Sequence, residues 1–584
     1  MKPKYNIITK SFGALAIAMS GFGLVSCGDM LDLKPQGVLF ADQIGEDQAV
    51  DLMTSAYSTL MNHYFGNNES FAGPINNWVI DLRSDDALKG GADVTMEAYM
   101  HQLEIGNVQS DNAIINFKWL NNYFSISRCN TAIQTIQDAG QIEDDVKASY
   151  IAEMKTLRAY YYFDMLRLFK KFPYIDETMN ASEVPAGNKT RLEVAELIKK
   201  DLRDSYAVLP ETQSEPGRFN KYVAAGILAR VDVFTAGISD LSSNSAADWA
   251  EAEQYCDYVI NSGKYGLFAH FQDISLPEMN NGAESVMAVQ FSSANSPGMY
   301  NFNNCLNCTW SEGNLYGNGD DFYLGSQDLA NAFRTNESGL PYLDGYTGND
   351  VVGRVDGAEQ DIPVYDGNVD PRLDLTFGRI GMYWRSNLSN PGQTYVYNEN
   401  WCRNYSLYGQ FSGKKPYPAP YNPEVEIGIV PWGASSLNYI IIRYADVMLM
   451  KAEALIEQNK NLEEARNLIN QVRAKAARSV DPSYSPVDCN PLVANYAVGQ
   501  YPASGWTQDY ARRAVRQERR VELAMEGHRW FDLLRWGTAV ETVNKYYQFE
   551  SKFQPYYSSA NLSADELYFP VPIEQKDNAG GLYD

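Results

Sequence analysis

Apolar residues at spacings of three and four recur through long stretches of this chain, and several of these stretches come in pairs joined by short polar turns. A helix with one apolar stripe must bury it against another element, so paired amphipathic helices are expected to stack into a helical layer. Tyr439 to Gln458 and Asn461 to Ala477 form one such pair, with small alanines at close-approach positions in the manner of a tetratricopeptide hairpin. Lys221 to Ala236 and Ala247 to Ser262 form another. Further helices are expected at Asn116 to Ala139, where Trp119, Tyr123, Ile126, Cys129, Ile133 and Ile136 share a face, and at Lys147 to Phe172, stopped by Pro173. Thr190 to Leu209 reads as a helix with Thr190 as its N-cap and Pro210 closing it, and a last helix is expected from about Asp509 to Trp536.

Between these blocks, residues 263–434 are rich in Gly, Asn, Asp, Tyr and Pro, with short strand-like pieces such as Ser285 to Phe291. The expected fold is mainly α, a tetratricopeptide-like hairpin scaffold with a loop-rich, few-stranded insertion carrying the ligand surface. The expected organisation is a targeting segment at 1–26, a helical scaffold at 27–262, the insertion at 263–434, and a second helical scaffold at 435–584 that packs back on the first.

Lys2, Lys4 and Lys10 precede an apolar run from Phe12 to Val25 that is too short to span a bilayer, the pattern of a secretory signal. It ends in Leu24-Val25-Ser26-Cys27, which resembles a bacterial lipobox, so cleavage before Cys27 and lipidation of its thiol are expected. Among the other cysteines, Cys129, Cys256, Cys402 and Cys489 read as buried free thiols. Cys305 and Cys308 form a lone CxxC, without the second pair or the His residues that a zinc site needs. No metal or cofactor is expected, although the acidic loops near Asp356 to Asp370 leave a structural calcium ion open. Lys plus Arg total 48 against 73 Asp plus Glu, a formal charge of −25, which argues against nucleic acid as a partner.

The chain carries no nucleophile elbow, HExxH, P-loop or strand-borne GxGxxG. Glu522 and Glu526 could be posed as a catalytic carboxylate pair, but Arg519, Arg529 and Arg535 lie along the same stretch, and a structural ion-pair network is the better reading. No enzymatic activity is expected. Binding is easier to argue, because a sugar ring offers an apolar face to an aromatic side chain and hydroxyl edges to polar ones. Two sets of residues suit that chemistry. One is Trp78 with Asp81, Arg83, Asp85 and Asp86; the alternative there is that Trp78 is core and the aspartates cap a helix. The other is Trp310, Tyr316, Tyr395, Trp401 and Tyr405 in the insertion, where most aromatics are expected to pack a small local core. Arg372 and Asp374 read as a structural turn, and Lys414 and Lys415 as solvated or structural.

Taken in order, several segments resemble the SusD/RagB family of outer-membrane lipoproteins from Bacteroidota. They are Met30-Leu31-Asp32-Leu33-Lys34-Pro35, Glu153 with Leu157 to Phe163, Arg218 to Arg230, Ser262-Gly263-Lys264-Tyr265 and Asp370-Pro371-Arg372. Further on come Arg443 to Val447 with Lys451 to Ala454, where Asp446 replaces the family's usual Glu, then Glu518 to Gly537 and Tyr568 to Pro572. The resemblance implies capture of oligosaccharide at the cell surface and delivery to a SusC-like TonB-dependent transporter, over which the protein closes as a lid. Some members of the family take peptides, and a surface glycoside hydrolase is a more distant alternative. The shared motifs are scaffold motifs, so the resemblance transfers no ligand-binding residue.

Overall fold

The computed structural model describes residues 44–61, 72–75, 77–292, 307–310, 315–316, 319–343, 345, 350–351, 365–426, 434–492 and 494–584. Cys27, Cys305 and residues 352–364 of the expected calcium loops lie outside them. Of the remaining acids there, Asp370 is taken up by Arg372, and no group of three or more His, Cys, Asp or Glu among the described residues could hold a metal ion.

The scaffold is mainly helical. Helix α1 (Glu46–Tyr57) packs on α2 (Ala113–Asp138), and α2 to α6 follow as an antiparallel succession in which each helix packs on the next: α3 (Asp144–Leu168), α4 (Arg191–Val208), α5 (Lys221–Ala236) and α6 (Ser245–Ile260). The chain then leaves for the loop-rich region and returns as α7 (Tyr444–Glu457), which packs directly on α6, and α8 (Leu462–Arg478) pairs with α7. Helix α9 (Gln508–Glu522) closes over both, followed by α10 (Arg529–Arg535) and α11 (Ala539–Glu550). The caps explain the starts: Asn112, Asn220, Asn244 and Asn461 each accept backbone N–H bonds at N-termini, and Thr190 with Glu193 forms the capping box expected at α4.

Three boundaries differ from the periodicity. Residues 439–443 were expected as helix but form a strand, β4 (Tyr439–Arg443), antiparallel to β2 (Ser285–Val289). Three consecutive Ile residues, stiff at χ1, suit a pleated surface better than a helix turn. Helix α3 stops at Leu168 rather than Phe172, because Phe169 turns out to bridge Phe569, whose N–H donates to the Leu168 carbonyl at 2.8 Å. The last expected helix is broken between α9 and α10: Met525 (φ 61°) and Gly527 (φ 75°) are left-handed. A Cβ at Gly527 would come within 2.7 Å of the Asn77 Cβ, so the break also lets the 77–81 segment approach. Two further short strands, β1 (Ala87–Gly90) and β3 (Phe322–Gly325), pair antiparallel.

The scaffold is locked by charges that no solvent reaches. Both oxygens of Glu522 are engaged, one by Arg443 (3.0 Å) and Lys475 (2.8 Å), the other by Arg372 (2.9 Å). Arg372 also meets Glu518 and Asp370 at 2.7 Å, Arg473 meets Glu518 at 2.8 Å, and Arg443 and Lys475 reach Glu284 at 2.9 and 2.7 Å. The expected network is present, but its cations come from other segments; Arg519 pairs instead with Asp446 and Asp532. Arg372 and Asp374 are structural as expected, and Asp374 holds Arg379 at 2.6 Å. Lys414 and Lys415 are buried, not solvated: Lys414 pairs with Asp488 and Lys415 donates to the Glu522 carbonyl at 2.8 Å. Burial alone would raise the Glu526 carboxyl, but Arg443 and Lys415 outweigh it and hold it down to about 2. Removing one partner of such a pair strands the other, so Arg372→Met is expected to lower unfolding free energy by roughly 3–5 kcal/mol. Denaturant titration checks this; a loss under about 1 kcal/mol would show that the network does not hold the scaffold.

Candidate functional site

The first candidate set lies in the interior. Trp78, Asp81, Arg83, Asp85 and Asp86 are all buried, with Asp81 and Asp86 at 1% exposure. Trp78 is core, as the alternative reading has it, and Trp78 to Asp81 form one helical turn; of the aspartates, Asp81 accepts the backbone N–H of Trp530, in the first turn of α10. The aspartates tie this segment to the C-terminal helices. Asp85 takes Arg529 through two bonds at 2.7 and 2.8 Å, and Asp86 accepts from Arg520 at 2.8 Å, which also reaches Asp328 at 2.7 Å. The Arg83 guanidinium lies 4.1 Å from the Trp530 ring centroid and 4.7 Å from that of Phe569, and donates to the carbonyls of Glu566 and Leu567. Asp81 accepts from the Tyr323 hydroxyl at 2.9 Å and the Trp530 N–H at 3.3 Å. Burial would raise the Asp85 carboxyl, but Arg520 and Arg529 outweigh it and hold it well below the usual range. Asp81 has no cation against it, and burial with the nearby Asp86 charge pushes it up to about 7.

The second set does come together. Tyr316, Trp384, Tyr397, Trp401 and Tyr417 form an aromatic core, with Tyr395 and Tyr405 packed against it. Tyr316 and Trp401 are interior to it, and so are not free to stack on a ligand: the Tyr316 hydroxyl accepts from Trp384 Nε1 at 3.0 Å and donates to the Pro418 carbonyl at 2.7 Å. Trp384 stacks on Tyr397 at 5.4 Å between centroids and meets Trp401 edge-on at 5.5 Å. Trp310, Tyr395 and Tyr405 stay partly exposed. The Trp310 backbone N–H donates to the Trp401 carbonyl at 2.9 Å, which ties its main chain to the edge of this core, and the Arg403 guanidinium stacks 4.4 Å from its ring centroid. Arg403 is in turn paired with Asp320.

A turn from a distant stretch of the chain joins this edge. Asn404 Nδ2 donates to the Ala92 carbonyl at 2.7 Å. The turn is built by Lys89, whose ammonium is buried beneath it and donates to the Asp93 and Met96 carbonyls at 2.7 Å each. Burial lowers this ammonium to about 8. Gly90 (φ 78°) starts the turn where a Cβ would fall 2.1 Å from the Asp321 carbonyl oxygen. Sequence reasoning missed Arg403, Asp320, Asn404 and Lys89. The Lys89-Gly90-Gly91 run signals a turn, but nothing in it says which loop the turn meets.

The mainly helical, tetratricopeptide-like scaffold is the fold of SusD-like proteins. The SusD family model matches residues 283–584, more than half of the chain, and a second model, described as starch-binding associating with outer membrane, matches residues 58–233. The chain belongs to the SusD family. It is 27% identical over 526 residues to SusD-like protein P2 of Formosa agariphila, covering 88% of each chain. Among solved structures it is similar to a SusD-like carbohydrate binding protein from Bacteroides fragilis (TM-score 0.68, 21% identity, 92% and 98% of the two chains). It is also similar to surface glycan-binding protein A from Bacteroides thetaiotaomicron, in complex with laminarihexaose (TM-score 0.65, 18% identity, 93% and 99%). At these identities the two structures share its fold.

The unpaired Asp81 gives a pH signature. Between about pH 4 and 7 the folded chain keeps a proton there that the unfolded chain has released, so this residue's stability contribution is present at low pH and lost as pH rises to 7. Asn at this position can accept from Trp530 and donate to Tyr323, so Asp81→Asn is expected to fold and to raise Tm relative to the parent more at about pH 7.5 than at about pH 4.5. Superimposable profiles of Tm against pH would refute the assignment.

Proposed function

We propose that this chain is a cell-surface glycan-binding lipoprotein that captures oligosaccharides and delivers them to a SusC-like TonB-dependent transporter, acting as its lid. The observation that carries the reading is the Trp310 edge: a partly exposed indole, held at its root by Trp401, with Arg403, Asp320 and Asn404 beside it. An indole face takes the C–H face of a pyranose, and the N–H groups and lone pairs that the Arg403–Asp320 pair leaves over take its hydroxyls, while Asn404 is spent on Ala92 and Leu407. Tyr395 and Tyr405, partly exposed at the same aromatic core, extend the platform. Membership of the SusD family and the glycan-binding names of the structural neighbours support this reading.

Neutral glycans suit this edge better than uronates or sulfated chains. Arg403 is paired with Asp320, Asp93 beside Ala92 and Glu399 beside Asn400 are exposed, and the whole chain carries −25. No side-chain constellation on the aromatic edge, among the described residues, pairs a nucleophile with a base, so the proposed role is capture without cleavage. Lipidation at Cys27 would hold the binder beside its transporter at high effective concentration, where weak affinity suffices and release stays fast. Residues 27–262 and 435–584 would act as the scaffold, and 263–434 as the bearer of the ligand surface.

Calorimetric titration of the lipid-free chain from residue 28 against neutral glucans, uronates and peptides tests the reading. Saturable binding of a neutral glycan without release of reducing ends is expected; cleavage, or binding of peptides alone, would overturn it. Trp310→Ala is expected to weaken glycan binding tenfold or more, about 1.4 kcal/mol. Trp78→Ala should instead lower Tm and leave the affinity of the folded chain unchanged. Full affinity in Trp310→Ala would remove the aromatic edge as the site. Cys27→Ser in the full-length chain should abolish acyl labelling and release the protein from the outer-membrane fraction; retention there would refute the anchor.

A further inference from the structure

The three segments that make the Trp310 edge meet at one buried residue. The main chain of Asp321 binds two of them: its N–H donates to the Cys308 carbonyl at 3.0 Å, and its carbonyl accepts from the Gly91 N–H at 3.0 Å. Its side chain binds the third, where Oδ2 accepts from the Arg403 N–H at 3.0 Å. Residues 307–310, 401–405 and the 89–97 turn are thus joined through a single position. The approach is close, since a Cβ at Gly319 would fall 2.1 Å from the Cys308 carbonyl oxygen. Asp321 itself is left-handed (φ 56°), a conformation that Asp and Asn adopt more readily than most residues.

Two adjacent acids divide Arg403 between them. Asp320 takes its guanidinium and Asp321 takes its main-chain N–H. No cation pairs with Asp321 among the described residues, and its Oδ1 is buried there without a hydrogen-bond partner. Burial pushes this carboxyl up to about 7, against the opposing pull of Ser412 and the Arg403 N–H.

The groups around it are otherwise settled. The Tyr397 hydroxyl is hydrogen-bonded to Ser412 at 2.6 Å and to Cys402 at 3.1 Å. Burial pushes both the Cys402 thiol and the Tyr397 hydroxyl up, and a charge on Asp321 adds to this, so both stay protonated. On the turn, Asp93, Glu97 and Glu104 face the Lys89 ammonium, which burial lowers to about 8. Glu399 is exposed to solvent. A charge on Asp321 would therefore stand in the interior without an opposite charge, and the relief is water entering between the three segments.

We propose that Asp321 is the positioning residue of the Trp310 edge: as an uncharged acid it holds the 307–310, 401–405 and 89–97 segments in the arrangement that binds glycan, and it releases them when it ionises. The inference rests on the glycan reading of this edge and adds its regulation by pH. A glycan lying over the edge excludes the water that an ionised Asp321 needs, so binding favours the protonated form.

The test uses the lipid-free chain from residue 28, with neutral glucans as the probe, in three forms at position 321. Asp321→Asn keeps an acceptor for the Arg403 N–H, suits the left-handed backbone and cannot ionise. Asp321→Gly suits the backbone and removes the acceptor. With only the protonated form competent, the affinity of the parent should fall at least tenfold from about pH 6 to about pH 8. The same interval should cost Asp321→Asn only about twofold, through Lys89. Asp321→Gly should bind tenfold or more weakly at both pH values, and Asp321→Asn should recover that loss at the lower one. Amide hydrogen exchange reads the positioning without ligand. At about pH 6 the Trp310 and Gly91 amides should lose at least tenfold protection in Asp321→Gly and keep it in Asp321→Asn, with the amides of α7 unchanged in both. Parallel pH profiles for the parent and Asp321→Asn, full affinity in Asp321→Gly, or unchanged exchange at Trp310 and Gly91 would each overturn the proposal. Glucan binding by none of the three forms would overturn the glycan reading of the edge, and the exchange of these two amides then decides the positioning role by itself.

Discussion

The structure depends on buried carboxylates that each answer to cations from distant segments of the chain. Glu522 is fully buried and meets Arg372, Arg443 and Lys475, which come from the loop-rich region, the end of β4 and α8. Burying those charges is costly, and the cost is offset only when every partner is present in good geometry. Such a network says little about net stability and much about arrangement: a shifted helix would leave a bare charge in the interior. Asp446 has the same role in the neighbouring layer, between Arg230 of α5 at 2.7 Å and Arg519 of α9 at 2.8 Å. Its carboxyl, which burial would raise, is held far below the usual range by those two guanidiniums. These contacts fix the two helical regions against each other across the long loop-rich region.

That rigidity bears on the proposed binding edge. Trp310 is set by a main-chain bond to Trp401, which itself belongs to a stacked aromatic core, and the adjoining turn is set by the buried Lys89 ammonium. Binding a flexible glycan weakly but selectively works best when the protein side loses little freedom, because ordering each mobile side chain subtracts from affinity. The same ordering explains why so many aromatics of the loop-rich region are interior. A region with few strands and helices must close its own core, and large flat rings fill that space with few residues.

The scaffold was legible because helices announce themselves locally. Spacing placed α2, α4, α5, α6 and α8 to within a few residues, and Thr190 and Asn461 marked their starts. Misreadings fell where a tertiary partner decides: Tyr439 to Arg443 became a strand because β2 lies beside it, and the helix expected through Trp536 broke where Asn77 needs room. The Trp78 to Asp86 stretch misled for the same reason. An aromatic beside acids and an arginine suits a sugar, but it suits a buried clasp equally well, and only the placement of Arg520 and Arg529 against Asp85 and Asp86 separates the two.

By itself the sequence determined the fold class, the ion-pair character of the last helices and membership signals spread along the whole chain. Each of these rests on periodicity or on residue type at short range. Only the tertiary structure decided which aromatics face outward and that Lys89 carries a turn up to Asn404. Exposure and juxtaposition are properties of residues hundreds of positions apart, such as Ala92 and Asn404, and no local pattern in a chain encodes which of its loops will meet.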